Sequence, residues 1–244
     1  MVDFESIRNK SIISAKKDIR ESISEDNYII NAINNIDELT KTANTLTKRL
    51  RDWYALCLPE LSKRIADNET FVKLVISKDR KELFQELKIK ESMGKDLDKR
   101  ELKPVKELAL QIKSIYSLRD ELKKYLETIM SSYCKNLFSV TGALLGAKLI
   151  EEAGSLKRLA MMPSSTVQLL GAEKALFRHL KTGARPPKHG TILQHTLVSS
   201  AKKNVRGRAA RSVADKISMA VKTDYFKGKF IGDRLNKELE EKLR

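Results

Sequence analysis

Cysteine, proline and glycine are scarce in this 244-residue chain, at two, five and ten. So few chain breakers exclude a collagen-like or low-complexity composition and leave room for long helices. Aromatic residues contribute only 6%, and the abundance of Lys, Glu, Leu, Ile and Ala favours helix over sheet. Cys57 and Cys134 offer neither zinc-ligand spacing nor a disulfide framework, in keeping with a reducing compartment. No apolar run approaches bilayer length: the longest uncharged stretch, Leu159 to Ala172, has 14 residues and includes Pro163. A secretory leader is not recognisable either. The three histidines, His179, His189 and His195, have no cysteine near them in sequence to complete a zinc site. There is no phosphate loop, no Ser/His/Asp arrangement and no pair of acids in a plausible pocket, so neither catalytic nor metal residues are assigned and no cofactor is expected.

What is present is hydrophobicity enough for a core, 41% of residues, and a net charge of +16. That charge is unevenly placed. Between Ser155 and Leu235 there are 17 Lys/Arg against four Asp/Glu, so the carboxy-terminal half should meet a polyanion.

Residues 1 to 23 have the pattern of a short amphipathic lead-in helix, with Ile12, Ala15, Ile19 and Ile23 on one face. Ser24-Glu25-Asp26 then starts a longer one, with a hydroxyl and two acids where the helix dipole favours them. From Ile29 through Ala32, Ile36, Leu39, Ala43, Leu46, Leu50 and Trp53 to Cys57, apolar residues recur in steps of three and four, a heptad pattern roughly 40 Å long at ~1.5 Å per residue. Leu58-Pro59 interrupts it, and a shorter helical segment runs from Glu60 to about Ser77. The charged stretch Lys78 to Lys103, with Gly94, is expected to be the solvated tip of a hairpin turning near residue 90. The return helix carries Val105, Leu108, Ile112, Ile115, Leu122, Leu126, Ile129 and Tyr133. With that turn, Cys57 faces about residue 123, some 16 Å of helix from Cys134, which argues against a bridge. Apolar residues beside the seam, such as Ile33, Tyr54, Leu118 and Tyr125, need cover from the hairpin, the other domain or a second chain.

In the carboxy-terminal half, Gly142 and Gly146 are spaced for close helix packing on a helix ending at Gly154-Ser155. Pro163 and the hydroxyls after it begin another. Lys174, Arg178 and Lys181, at i, i+4 and i+7, make a positive stripe, with Leu176, Phe177 and Leu180 expected to face inward and Gly183 to stop the helix. Pro186-Pro187 stiffen the loop that presents Lys188 and His189, where an imidazole can stack on a base. His179 is expected on a helix surface and His195 in packing. Lys202, Lys203, Arg206, Arg208 and Arg211 enter a final long helix whose inner face is Ala210, Val213, Ala214, Ile217, Ala220 and Val221. Five cations in ten residues suit phosphate neutralisation, although a basic helix start is often only a solvated face.

Taken together, Gly171-Ala172-Glu173-Lys174, Ala175-Leu176-Phe177-Arg178, Pro186-Pro187-Lys188-His189-Gly190 and Arg206-Gly207-Arg208-Ala209-Ala210-Arg211 resemble, in order and spacing, the signature of the Nop domain family of box C/D ribonucleoprotein scaffolds. Arg51-Asp52-Trp53-Tyr54 and Leu58-Pro59-Glu60-Leu61 resemble the family's coiled-coil region. The likeness is greater to the archaeal methylation-guide branch than to the spliceosomal one. It implies an all-α chain: a coiled-coil hairpin with its lead-in helix over residues 1–135, followed by a compact helical Nop domain over 136–244. It also implies a non-catalytic scaffold for box C/D guide RNA and a kink-turn-binding ribosomal-type protein, in a particle where fibrillarin performs 2′-O-methylation with S-adenosylmethionine. Fibrillarin would be a partner if the full protein carries a further amino-terminal α/β domain; nothing before Ile7 supplies one, so this sequence is either a shortened form of such a protein or a naturally short one.

On this resemblance Lys174, Arg178, Lys188, His189, Lys202, Lys203, Arg206, Arg208 and Arg211 are assigned to RNA, and Gly171, Ala172 and Glu173 to the protein partner. Ile36, Leu39, Leu46, Leu50, Trp53, Ile112, Ile115 and Leu122 are assigned to a homodimer through the coil. The setting implied is the archaeal cytoplasm, or the nucleolus for a eukaryotic relative. A spliceosomal-type Nop protein on small nuclear RNA and a coiled-coil DNA-binding regulator are the alternatives.

Overall fold

Asp67 and Ser155 cap the helices that follow them, accepting from Thr70 N and Arg158 N, in the computed structural model, which describes residues 4–89 and 91–243, the side chain of Leu243 excepted. Among these residues every regular element is helical, as the scarcity of Gly and Pro predicts. The chain divides into two compact units, residues 34–123 and residues 1–33 with 124–244. The helices α2 (Glu25–Tyr54) and α6 (Lys99–Tyr133) contribute to both.

In the unit 34–123, α2 and α6 are joined by α3 (Pro59–Arg64), α4 (Asn68–Ser77) and α5 (Arg80–Glu86). Ala43, Leu50 and Tyr54 share one apolar cluster with Phe71, Val72, Val75, Leu83, Val105, Ala109 and Ile112. The stretch expected to be a solvated tip is therefore partly core. Leu83 is fully buried, and Phe84, Leu87 and Ile89 pack on the same cluster; the burial of these four apolar residues, the first three at helical spacing, outweighs the charges around them. The expected turn at Lys90 lies outside the described residues. Thr47 Oγ1 lies 3.4 Å from the Tyr116 hydroxyl, which puts the level of Cys57 near about residue 106 rather than 123. Both cysteines are buried free thiols.

Arg51 ties this unit together. Its guanidinium donates to Ile65 O (2.8 Å), Ala66 O (3.1 Å) and Asn68 Oδ1 (3.1 Å) and lies 4.3 Å from the centre of the Phe71 ring. Tyr54 meets that ring edge-on at 6.1 Å. The seam departs here from the strict heptad: Thr47 and Tyr54 are buried, Tyr54 to 2% exposure, whereas Trp53 is 41% exposed. A straight helix of 3.6 residues per turn drifts from a 3.5-residue repeat, and Phe71 selects the neighbour that reaches it. The dimer assignment changes accordingly. Ile36, Leu50 and Ile112 are covered within the chain and present nothing to a second copy, while Leu39, Leu46, Ile115 and Leu122 are half-buried.

In the other unit, α1 (Phe4–Glu21) has no buried residue. The remaining elements are α7 (Lys135–Ala153), α8 (Leu156–Met161), α9 (Ser164–Leu169), α10 (Glu173–Thr182), a 3-10 turn (Thr191–Gln194), α11 (Thr196–Ser199), α12 (Arg206–Tyr225) and α13 (Gly232–Leu243). The division falls inside α2 and α6 rather than at residue 135, because their near ends pack with this unit. Asp26 accepts from the backbone of Leu156 (3.1 Å) at the start of α8. Met130 lies so close to Gly146 that an added Cβ would sit 2.8 Å from its Cε. Gly142, by contrast, is not a packing residue: its φ of 73° and ψ of 173° break α7 there. The axis of the unit is α12, whose Ala210, Val213, Ala214, Ile217, Ala220 and Val221 are buried as their spacing predicts. Lys216, also buried, is ion-paired with Glu238 of α13.

Candidate nucleic-acid interface

The start of α12 and the proline loop meet over the end of α9. Gln168 of α9 holds the loop at two points: its Nε2 donates to Lys188 O (2.6 Å), and its own carbonyl accepts from Gly190 N (2.9 Å). Thr191 N donates to Leu170 O (2.8 Å) and closes the loop onto the helix end. The Lys188 side chain lies over Gly207, so close that a Cβ added to the glycine would stand 3.6 Å from Lys188 Cδ. The result is a groove of about 410 Å³ lined by Gln168, Pro187, Lys188, Gly207, Arg208 and Arg211. Three exposed cations and no acid line it, which suits a phosphate backbone.

The other assigned residues fare differently. His189 is half-buried rather than held out, and burial, then the nearby positive charge of Arg206, depresses its pKa. It is therefore neutral near pH 7. Arg206 is partly engaged within the chain, donating to Ala201 O (3.2 Å) and Ser199 O (3.4 Å), so it braces the turn before α12 and has fewer donors for RNA. Lys202 and Lys203 lie exposed in that turn, and Lys174 and Arg178 lie exposed on α10, outside the groove. His195 is buried and hydrogen-bonded to Val140 O (2.9 Å), and His179 closes the turn after α10 through Ala184 O.

The expected inward face of α10 is not buried. Phe177 is 61% and Leu180 69% exposed, and the helix has no buried residue. Its amphipathic pattern is real, but the described residues cover that side only in part: Leu176 is half-buried, while Phe177 and Leu180 stay exposed. The turn before it has internal reasons for its sequence. Gly171 has φ +79°, and a Cβ there would meet Thr191 Oγ1 at 2.2 Å and Glu152 Oε1 at 2.6 Å. Glu173 folds back to accept from Gly171 N (2.8 Å). Thr191 donates to Glu152, whose pKa is raised by burial. Sequence reasoning missed Gln168, Pro187 and Gly207 as groove walls; the only trace of Gln168 is a polar residue inside Val167-Gln168-Leu169-Leu170.

This architecture is that of an all-helical protein whose exposed groove is lined by three cations and no acid. Residues 35–244 match the Nop family, described as "snoRNA binding domain, fibrillarin". The chain belongs to the Nop family. It is 38% identical over 236 residues to an uncharacterised NOP5 family protein of Methanocaldococcus jannaschii, covering 88% of this chain and 57% of that one. It is 36% identical over 241 residues to human nucleolar protein 56, covering 89% and 41% respectively, so it spans little more than half of one relative and less than half of the other. Among solved structures, a fibrillarin/Nop5p complex shares the fold at a TM-score of 0.58 and 24% identity, over 99% of this chain and 79% of that chain.

Proposed function

We propose that this chain is a non-catalytic scaffold of a box C/D ribonucleoprotein. It binds a kink-turn guide RNA together with the RNA's kink-turn-binding protein, and fibrillarin supplies the 2′-O-methylation chemistry. The observation that carries the proposal is the groove joining Lys188 to Arg208 and Arg211, formed by segments that match a snoRNA-binding family. Lys188, Arg208 and Arg211 neutralise backbone phosphates, which positions RNA without reading its sequence. The uncovered Phe177 and Leu180, beside the exposed Lys174 and Arg178, support a composite partner that offers apolar surface as well as phosphate.

Pairing of two copies is part of the proposal, on a face revised from the heptad. A shallow groove on α6 is lined by Leu110, Ser114, Ser117 and Leu118 with Lys113 and Glu121, and its two small serines allow a second helix to approach.

The test is a titration into kink-turn RNA with and without the kink-turn protein, at about 0.2 M salt, where nonspecific phosphate binding is weakened. Markedly tighter binding to the preformed complex is expected. Equal affinity in both titrations refutes the composite clamp and leaves a basic, nonspecific surface.

A further inference from the structure

Between α12 and α13 runs Tyr225-Phe226-Lys227-Gly228-Lys229-Phe230, three aromatic residues and two lysines with no acid among them. Backbone hydrogen bonds define its shape. Lys227 N donates to Asp224 O (3.1 Å) and Gly228 N to Thr223 O (2.8 Å), the paired bonds of a Schellman helix end. The left-handed position of that motif is ordinarily glycine, yet here it is Lys227, with φ +52°. The turn thus carries a lysine side chain at a place where glycine is usual, as Lys88 does at the end of α5 (φ +48°).

Both feet of the segment are pinned to the start of α7 through the buried Asn136. Its Nδ2 donates to Asp224 Oδ1 (2.8 Å), and its Oδ1 accepts from Ile231 N (2.6 Å). The Asp224 carboxylate also accepts the amides of Asn136 (3.1 Å) and Leu137 (2.8 Å), so its charge is engaged by a helix start. Between these feet Phe226 is 67% and Phe230 52% exposed. Tyr225 meets the Phe226 ring edge-on at 5.1 Å. A groove of about 270 Å³ beside Phe230 has Tyr133, Lys135, Lys227 and Phe230 in its walls together with Asp224, whose carboxylate is the one already engaged by Asn136 and Leu137.

We infer that this loop is a second RNA-binding site, one that takes unpaired nucleotides. Bases stack on Phe226 and Phe230 while Lys135, Lys227 and Lys229 neutralise the intervening phosphates, the combination that single-strand binding requires. The pinned backbone means little ordering entropy is lost on binding. About 15 to 18 residues of α12 separate the loop from Arg208 and Arg211, roughly 25 Å along the helix, so an RNA seated in the first groove reaches the second through a short single-stranded extension, with the gain of a tethered ligand. The site recognises stacking faces and phosphates in any unpaired RNA and does not depend on the kink-turn proposal.

The test moves the chain's single tryptophan to the loop. In the full chain carrying Trp53→Phe and Phe226→Trp, fluorescence is followed on adding single-stranded oligoadenylate of about a dozen nucleotides, a blunt RNA duplex of the same length, or polyglutamate. Quenching by the single strand is expected, and it persists when Arg208→Ala and Arg211→Ala are added. Lys227→Gly with Lys229→Ser should weaken that binding about tenfold and lower its salt slope by about 1.4; because glycine suits the turn, thermal stability is kept or raised. The inference is overturned if no quenching occurs, if the duplex quenches equally, or if quenching disappears with the two arginines. Equal quenching by polyglutamate overturns it in favour of an acidic protein segment.

Discussion

Gly171→Ala tests whether the turn before α10 is small for internal reasons or for a partner. Any L-residue at φ +79° costs about 1 to 2 kcal/mol. The new Cβ would stand 2.2 Å from Thr191 Oγ1 and 2.6 Å from Glu152 Oε1, so Thr191 and Glu152 must part, and a hydrogen bond to a carboxylate contributes about 1.5 to 3 kcal/mol. The expected destabilisation is about 3 to 5 kcal/mol. Far-UV circular dichroism during denaturant unfolding is the suitable assay, because Trp53 lies in the other unit and its fluorescence reports elsewhere. Thr191→Ala removes the nearer obstacle and has already broken the bond. In that background Gly171→Ala should therefore cost less, the backbone strain of about 1 to 2 kcal/mol together with the shift of the Glu152 carboxylate that the new Cβ still requires. Additive effects of the two substitutions refute the steric account. A Gly171→Ala chain of wild-type stability that loses affinity for the RNA and kink-turn protein complex assigns the glycine to the partner surface instead.

Arg208→Ala with Arg211→Ala should lower the slope of log affinity for RNA against log salt by about 0.7 to 0.9 per lost phosphate contact; filter binding across a salt series checks it, and an unchanged slope means these arginines only solvate the helix. Leu83→Ala should destabilise the unit 34–123 by about 2 to 5 kcal/mol, measured through Trp53 fluorescence, whereas a solvated tip would respond by less than about 0.5 kcal/mol. Burial holds the pKa of His195 below its ordinary value, so the unfolded chain takes up a proton first. The stability this histidine contributes is complete above about pH 6.5 and is lost as pH falls below it through the folded pKa. His195→Gln should flatten that part of the stability profile, and an identical profile in the variant shows that His195 is not the group responsible.

Much of this protein follows from local rules acting on the sequence. The glycine after α10 and the Ser24-Glu25-Asp26 start of α2, with its two acids in the first turn, mark helix ends, because such signals act within one turn of the chain. The inner face of α12, from Ala210 to Val221, is legible for the same reason: the spacing of apolar residues on one long helix leaves a single face to bury. The family's signature segments and the basic half are legible as composition and order. Tertiary structure decided the rest. Whether Trp53 or Tyr54 enters the core depends on Phe71, which arrives from another helix. Whether the charged tip is solvated depends on Leu83 finding the cluster of Leu50 and Ile112. The amphipathic pattern of α10 states that it has an apolar side, but exposure of Phe177 and Leu180 is a property of the neighbours, which do not reach it. The groove is the clearest case: Gln168, Lys188 and Arg208 lie about 20 residues apart from one to the next along the chain. Their charges and hydrogen-bonding groups are written in the sequence, but a binding surface exists only where packing brings three separate segments within a few ångströms, and the pairings that hold them there, such as Gln168 with Lys188 and Gly190, join positions that sequence order does not make neighbours.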